Sequence, residues 1–523
     1  MRWLTLLVMQ KIMRNNHKLT TTQLALVLSI MTVGSKILGF IRELLLANYY
    51  GASFITDAYT MSMSIPNNLL AGIVGAAATA YMPVYSKKVE TEGEGSGNLF
   101  TSQIINLLLF VVGIIMILGW IFAEPLVHLF APGFSGQTLE LTTFYLRVAF
   151  VMVFFSVVSN MLGSFLEYKG VFIAPTALSY LQNVCIITAI VVSAKTNTPE
   201  GLIFGITTGY LVMAVGKSII ASKNGYKYKP ELNFTKPVKE IIVLAIPVFI
   251  GSSAGEINAL VDRILASKLA EGSVSSLQYG SLFSGLISSL TIGIFVTIIY
   301  PRLTQAFAQN DFERISDVSE RGINLIALLM VPCTLGALMY ASQVIQVVYE
   351  RGAFNSVATD LTAAAFFYYA IGMAFTATRS FLDKIFYSVH DTITPVKCSI
   401  VAVCCNIILN LSLVNVMGHA GLALATSISQ IISMLLEYIL FGRKFPQITL
   451  LKSKRKLAKI ILFSIISVGA SYAFYCFVAP SISIARMIQL GVSVIIAVVI
   501  YLLLLYVFKF EELELFKDLI NRK

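Results

Sequence analysis

Four charged side chains crowd one short stretch of an otherwise apolar sequence. Lys36, Arg42 and Glu43 fall near the end of the run 22–47, and Asp57 opens the next run after the turn Gly51-Ala52-Ser53. Charge inside a membrane helix survives where it pairs or faces a water-filled cavity. At about 100° per residue, Lys36 and Glu43 lie about 20° apart around a helix, and Arg42 about 100° from Glu43. The charges then share a broad sector that lines a cavity, or, for Glu43 and Arg42, snorkel at the helix end. Farther along, Arg147, Glu256, Asp262, Arg263, Arg379, Asp383 and Lys384 are likewise embedded in apolar sequence. Arg379 and Asp383 are spaced i,i+4 and can pair on one helix face. Asp262 and Arg263 point about 100° apart and serve different partners. Cations in a shielded cavity suit a phosphate-bearing ligand; the alternative is mutual locks between two halves of the chain.

A second polar set could take a different ligand. Asn406 and Asn410 are i,i+4 on one run, Thr426 is in the next, and Asp262 supplies a carboxylate. One carboxylate with neutral oxygens suits a hard monovalent cation such as Na⁺; asparagine packing between helices is the alternative. No Walker sequence, nucleophile elbow or metal-spaced His/Cys/Asp cluster appears, which argues against an enzyme. The six cysteines, Cys185, Cys333, Cys398, Cys404, Cys405 and Cys476, lie in or beside apolar runs and read as buried packing thiols.

The elements that must position these residues are membrane helices. The chain is 57% hydrophobic and 12% charged, with mean hydropathy +0.81; a soluble protein carries about twice that charge. Fourteen apolar runs are long enough to span: 22–47, 54–85, 99–123, 139–166, 172–194, 200–221, 240–267, 275–300, 322–347, 358–388, 395–416, 419–441, 457–479 and 484–508. They are continuously apolar and do not alternate as barrel strands do. With the N-terminus in the cytoplasm, 28 of the 38 Lys and Arg fall on the cytoplasmic side and 4 on the other. That bias places both termini inside and explains the net charge of +11 without nucleic acid. The basic first 20 residues show no cleavable signal. The stretches 86–98 and 124–137 read as connections, and Pro66 in the second run predicts a kink.

The second half repeats the first. Residues 39–53 align with 260–274 at an offset of 221, which pairs Arg42 with Arg263 and Gly51 with Gly272. Pro175 and Pro395, and 201–209 and 421–429, align at 220. Six spans per repeat is even, so the halves share one orientation about an axis normal to the membrane. The expected architecture is an all-α polytopic membrane protein: a basic lead (1–20), an N-lobe (21–222), a cytoplasmic linker (223–239), a C-lobe (240–442) and a two-helix extension with a short tail (443–523). The residues after the last span are too few for an added cytoplasmic domain, which a signalling scaffold of this class would need.

The motifs SKILGFIRELLLANYYGASFITDAY, SIPNNLL, VDRILAS, YERGAF, FYSVHDTITPV and NIILNLSLVNVMGHAGLALATS together resemble the MurJ (MviN) family of the multidrug/oligosaccharidyl-lipid/polysaccharide exporter superfamily. The resemblance runs from span 1 through span 12. It implies two six-helix lobes around a central cavity, a two-helix extension forming a lipid-facing groove, and alternating-access flipping of lipid II, the undecaprenyl-pyrophosphate-linked peptidoglycan precursor, in the bacterial cytoplasmic membrane. No enzymatic step and no oligomer are implied, and membrane lipids and lipid II are the expected partners. Arg42 and Asp57 match the family's first-lobe charges, Lys36 stands where arginine is common, and Glu43 replaces an aspartate. Arg263, Arg379 and Lys384 are the second-lobe candidates to join them in holding pyrophosphate or a counter-anion such as chloride. Asp262, Asn406, Asn410, Leu422 (through its carbonyl) and Thr426 match a sodium site of the family. A Na⁺ gradient or the membrane potential is expected to reset the cycle. Leu70 and Leu282 stand where the family has cavity arginines, which keeps a flippase for another polyprenyl-linked glycan as an alternative. A multidrug/cation antiporter of the same superfamily would favour carboxylates and aromatics over these cations.

Overall fold

The computed structural model describes residues 21–510 apart from 232, 234, 310 and 480–484. All labelled elements are helices: α1 (Thr21–Tyr50), α2 (Phe54–Glu92), α3 (Glu94–Ile121), α4 (Ala123–Phe130), α5 (Gly136–Tyr168), α6 (Ile173–Thr196), α7 (Gly201–Lys223), α8 (Lys236–Ala266), α9 (Ser273–Ile298), α10 (Tyr300–Ala308), α11 (Phe312–Met339), α12 (Ala341–Tyr349), α13 (Ser356–Ser388), α14 (Ile393–Met417), α15 (His419–Lys444), α16 (Lys454–Phe477) and α17 (Arg486–Val507). A long helix overlaps every one of the fourteen apolar runs. Among the described residues, ten helices are long and apolar enough to cross a membrane, or eleven counting α2 as one bent span. The lead 1–20 and the end of the tail lie outside the described residues.

The repeat is visible in the helix bounds. Gly136–Tyr168 and Ser356–Ser388 are the same length, displaced by 220, and the short α4 recurs as α12. Three expectations about connections change. Residues 86–98 are helical apart from Gly93, because Lys88 pairs with Glu92 at 2.8 Å within α2 and Ser96 reaches back to Glu92 at 2.6 Å. Half of the stretch 124–137 is the amphipathic α4. The ninth run ends at Met339 and α12 follows as a separate short helix. In α2 the segments Phe54–Asn68 and Gly72–Glu92 meet at 41°, just after Pro66, which removes a backbone donor as expected.

The chain packs as two compact units. Unit 1 ends at Val274 and takes in Gly352–Phe354; unit 2 holds Ser275–Arg351 and the residues from Asn355 onward. In unit 1, α2 packs on α5 and α8, α6 on α7 and α1, and α5 on α7 and α4. The seventh span, α8, therefore packs with the first six, although the sequence repeat begins at it. In unit 2, α13 and α14 pack on α15, and α11 bridges α13 and α16. The extension is fastened there by Tyr501, whose hydroxyl donates to the Leu328 carbonyl at 2.9 Å, and by Tyr340, 2.8 Å from Ser471.

The linker 223–239 is tied to one face of α3. Asn98 donates to the Gly225 carbonyl at 2.8 Å, Ser102 meets the Tyr226 hydroxyl at 3.1 Å, and Asn106 accepts from Tyr228 at 2.7 Å. Residues spaced i,i+4 form one stripe, so the Lys/Tyr alternation of the linker serves docking. Burial pushes the Tyr226 phenol up to about 12.

Candidate functional site

The opening charges resolve into one ion pair and two side chains with other tasks. Arg42 donates to Glu43 Oε1 through Nε at 3.1 Å and Nη2 at 2.6 Å. Its Nη1 donates to Asn183 Oδ1 on α6 at 3.2 Å. Asn183 is oriented by its own bond to the Ser179 carbonyl, 2.9 Å away. The Arg42 side chain keeps 28% of its surface exposed, and Tyr59 and Tyr210 are its next electrostatic neighbours. Neighbours on a helix do not face each other; the long guanidinium stem bends back, so Arg42 and Glu43 meet despite the 100° between them. Lys36 is exposed and makes no hydrogen bond or ion pair among the described residues.

Asp57 is buried at the start of α2, where its Oδ2 accepts from the Gly272 backbone at 2.7 Å. Gly272 has φ +83, and a Cβ there would lie 2.6 Å from the Ala52 carbonyl oxygen. Its repeat mate Gly51 has φ +65 and stands equally close to the Ala353 carbonyl. Glu271 accepts from the Phe54 backbone at 2.8 Å, and Ala353 donates to the Asn48 carbonyl at 2.8 Å. Three loops of unit 1 thus meet backbone to backbone, and Asp57 holds one of them. Asp262 is buried on α8 in unit 1, and Arg263 is half-buried in the last turn of the same helix. Arg147 lies over the Trp120 ring at 5.6 Å.

Unit 2 gathers a second cationic cluster. Arg379 donates through Nε to Glu437 Oε1 at 3.1 Å, through Nη1 to Gln430 Oε1 at 2.8 Å and through Nη2 to Ser399 Oγ at 2.5 Å. It therefore pairs with Glu437 and not with Asp383: the guanidinium finds three acceptors on α14 and α15, which outweigh one neighbour on its own helix. Lys384 lies over the Tyr387 ring at 5.6 Å. Below this cluster, Lys444 reaches Asp391 at 2.6 Å, and Thr394 donates to the same carboxylate. Burial alone would raise the Asp391 carboxyl; the bonds from Lys444 and Thr394 instead hold it at about 2.

The sodium candidates in unit 2 do come together. Asn406 donates to Thr426 Oγ1 at 3.2 Å, Asn410 donates to Asn406 Oδ1 at 2.7 Å, and Thr426 Oγ1 donates to the Leu422 carbonyl at 3.1 Å. Asn406, Asn410 and Leu422 are fully buried. The amide nitrogens of Asn406 and Asn410 are each spent on an oxygen of the set, which leaves oxygen as the only ligand type it offers, the type a hard ion takes. Among the described residues no three His, Cys, Asp or Glu gather in a way that could hold a metal. Leu70 is buried and Leu282 half-buried. Of the cysteines expected to be buried, Cys398 is; Cys185 and Cys405 are half-buried, and Cys333, Cys404 and Cys476 are instead exposed on the outer faces of apolar helices.

Two participants escaped the sequence reading. Glu437 is wholly buried in α15, and Lys217 donates to the Ser159 carbonyl at 3.0 Å inside unit 1. Each is a single charge a few residues from the end of an apolar run, where snorkelling is the ordinary reading. The 220-residue offset, which pairs position 217 with 437, was the signal that could have raised both.

A family model described as "Lipid II flippase MurJ" matches residues 46–481. A "Probable lipid II flippase MurJ" of Rickettsia prowazekii (strain Madrid E) is 25% identical over 501 residues, 94% of this chain and 98% of that protein. Its counterpart in Vibrio cholerae serotype O1 is 28% identical over 435 residues, 79% of this chain and 81% of that one. A solved structure, "Lipid II flippase MurJ, inward closed conformation", superposes with a TM-score of 0.80 at 27% identity, covering 95% of this chain and 100% of its own. An inward-facing multidrug resistance MATE family transporter of the MOP superfamily shares the fold, with a TM-score of 0.63 at 13% identity over 78% of this chain and 94% of its own.

Proposed function

The chain belongs to the MurJ family of lipid II flippases, and from that membership we propose that it carries lipid II from the inner to the outer leaflet of the bacterial cytoplasmic membrane. The observation that carries this reading is the likeness along 95% of the chain to a solved lipid II flippase. The work is transport by alternating access, with no covalent step, by a single chain. The 28-to-4 distribution of Lys and Arg supports cytoplasmic termini.

Arg42 supplies the anion contact. Its present partners are one carboxylate on its own helix and one neutral amide, and part of its surface is open. A pyrophosphate offers more oxygens than Glu43 in a geometry that suits the guanidinium fork, and each charge-assisted bond contributes about 1.5–3 kcal/mol. Glu43 and Asn183 hold the fork ready, and Lys36 adds an unpaired positive charge on the same helix. A counter-anion such as chloride is the resting occupant. Asp57 keeps the turn at Gly272 in place and so shapes the unit that carries Arg42. Arg263 of unit 1 and Arg379 and Lys384 of unit 2 are the further cations of the cycle. Asn406, Asn410, Thr426 and the Leu422 carbonyl of unit 2 would hold Na⁺, whereas Asp262 is carried by unit 1; such an ion supplies fixed charge to a buried polar site. The membrane potential contributes about 2.3 kcal/mol per charge per 100 mV, enough to bias resetting.

Rescue of cells depleted of their own lipid II flippases tests the reading. Wild type is expected to restore growth and outer-leaflet lipid II. Growth without lipid II at the surface, but with another polyprenyl-linked glycan moved, would assign the substrate to that glycan, as the leucines at 70 and 282 would then explain.

A further inference from the structure

The Arg379 cluster contains an oxygen that the account so far leaves unused. Glu437 has no exposed side-chain surface, and its Oε1 is engaged by Arg379 at 3.1 Å and by Ser433 at 3.4 Å. Its Oε2 is buried and has no hydrogen-bond partner among the described residues. An ionised carboxylate accepts at both oxygens, and a buried one with a bare oxygen loses the solvation of that atom without replacement. Arg379 does not close the gap: its Nε–H goes to Oε1, its Nη1 and Nη2 bonds go to Gln430 and Ser399, and none of the three reaches Oε2. The surroundings contain a second acid: Asp383, one turn beyond Arg379 on α13, interacts electrostatically with Glu437, Arg379 and Lys384. Tyr387 on α13 and Cys398 on α14 complete the titratable groups that face the site. Two acids close together resist both being charged.

The corresponding positions of unit 1 hold no acid. At the 220-residue offset, Arg379, Asp383 and Glu437 replace Ser159, Gly163 and Lys217. There the Lys217 ammonium donates to the Ser159 carbonyl at 3.0 Å and occupies the space beside Gly163. The acid pair is thus a property of unit 2 and not of the helix packing that both units share. Glu437 lies about 10 Å along α15 from Lys444, from the rise of about 1.5 Å per residue.

We propose that Glu437 is a proton-binding site, with the proton on Oε2, and that its occupancy decides how Arg379 ties α14 to α15. With the proton bound, Glu437 needs only one donor at Oε1, and Arg379 is free to hold Ser399 and Gln430 as seen. When the proton leaves to water, both oxygens demand donors, and Arg379 turns its fork onto the carboxylate and lets Ser399 on α14 go. The exchange is Glu437–COOH to Glu437–COO⁻ plus H⁺, with no other reactant. A proton suits the site better than a metal cation, because the guanidinium already fills the cation position beside Oε1. Use of this exchange in the transport cycle rests on the flippase reading; the site itself does not.

Infrared spectroscopy of the purified full chain in lipid nanodiscs tests the proposal without any substrate. Wild type at neutral pH is expected to show the C=O stretch of a buried carboxylic acid. The band should vanish in Glu437→Gln, which mimics the protonated shape and should fold, and persist in Asp383→Asn. Absence of the band in wild type, or its survival in Glu437→Gln, overturns the proposal; its loss in Asp383→Asn alone places the proton on Asp383 and overturns the assignment. Lipid II translocation by proteoliposomes is then expected to depend on pH in wild type and to lose that dependence in Glu437→Gln. A wild type with the band but without lipid II transport would refute the flippase reading alone.

Discussion

Position 217 and position 437 occupy the same place in two units built on one repeat, and they carry opposite charges. In unit 1 a lysine spends its charge on a backbone carbonyl of α5. In unit 2 a glutamate meets an arginine from the matching position of α13, with a second acid one turn away. The scaffold is common; the chemistry is not. A lysine bonded to a carbonyl holds a fixed charge in place. An acid that shares an arginine with two neutral acceptors can gain or lose a proton and redistribute its bonds. The comparison leaves a fixed charge in unit 1 and sets the proposed titrating lock in unit 2.

The sharpest way to break the comparison is to remove the arginine. Arg379→Ala takes the donor away from Glu437, Gln430 and Ser399 and is expected to destabilise the protein by about 1–3 kcal/mol for each buried acceptor left unpaired, read as a loss of melting temperature. The double variant Arg379→Met with Glu437→Met should recover most of it, since paired apolar replacements are often neutral; failure to recover would mean that the pair is only packing. Gly272→Ala comes next. The φ of +83 and the 2.6 Å approach to the Ala52 carbonyl predict a loss of about 1–3 kcal/mol and poor expression. Gly93→Ala, at φ +82 and ψ 172 with open space, should lose at least about 1 kcal/mol, from backbone strain alone. In unit 1, Lys217→Met should cost less than about 1.5 kcal/mol, because it removes a charge whose partner carbonyl stays within its helix.

The smallest effect concerns pH. Asp391 is held at about 2 by Lys444 and Thr394, and the matching position in unit 1 is Val171. A carboxyl lowered in the folded state stabilises above its ordinary range, near about 4, and loses that contribution as pH falls through about 2. Melting curves across that window should be flatter in Asp391→Asn than in wild type. Equal slopes would remove the ion pair from the stability of unit 2.

Much of this was legible in the sequence for simple reasons. Apolar runs mark helices because lipid leaves the backbone no other partner, and the repeat shows in Gly51, Gly272, Pro175 and Pro395 because backbone geometry restricts those positions. The polar set of Asn406, Asn410 and Thr426 followed from i,i+4 spacing. Other features depend on tertiary direction, which spacing does not encode. Arg379 could pair with Asp383 on its own helix; three acceptors on neighbouring helices drew it away. Asp57 looked like a cavity charge, and its oxygen faces a backbone N–H 215 positions along the chain. Residues 86–98 read as a loop because they are polar, yet their charges pair at helical spacing and carry α2 to Glu92.

Arg42 is the residue on which the account turns, and surface labelling of lipid II tests it most directly. In cells depleted of their own flippases, wild type should expose lipid II on the outer leaflet, and Arg42→Ala, made at equal level in the membrane, should lose at least about tenfold of that signal, the equivalent of one charge-assisted bond. Equal exposure by wild type and Arg42→Ala would contradict the account.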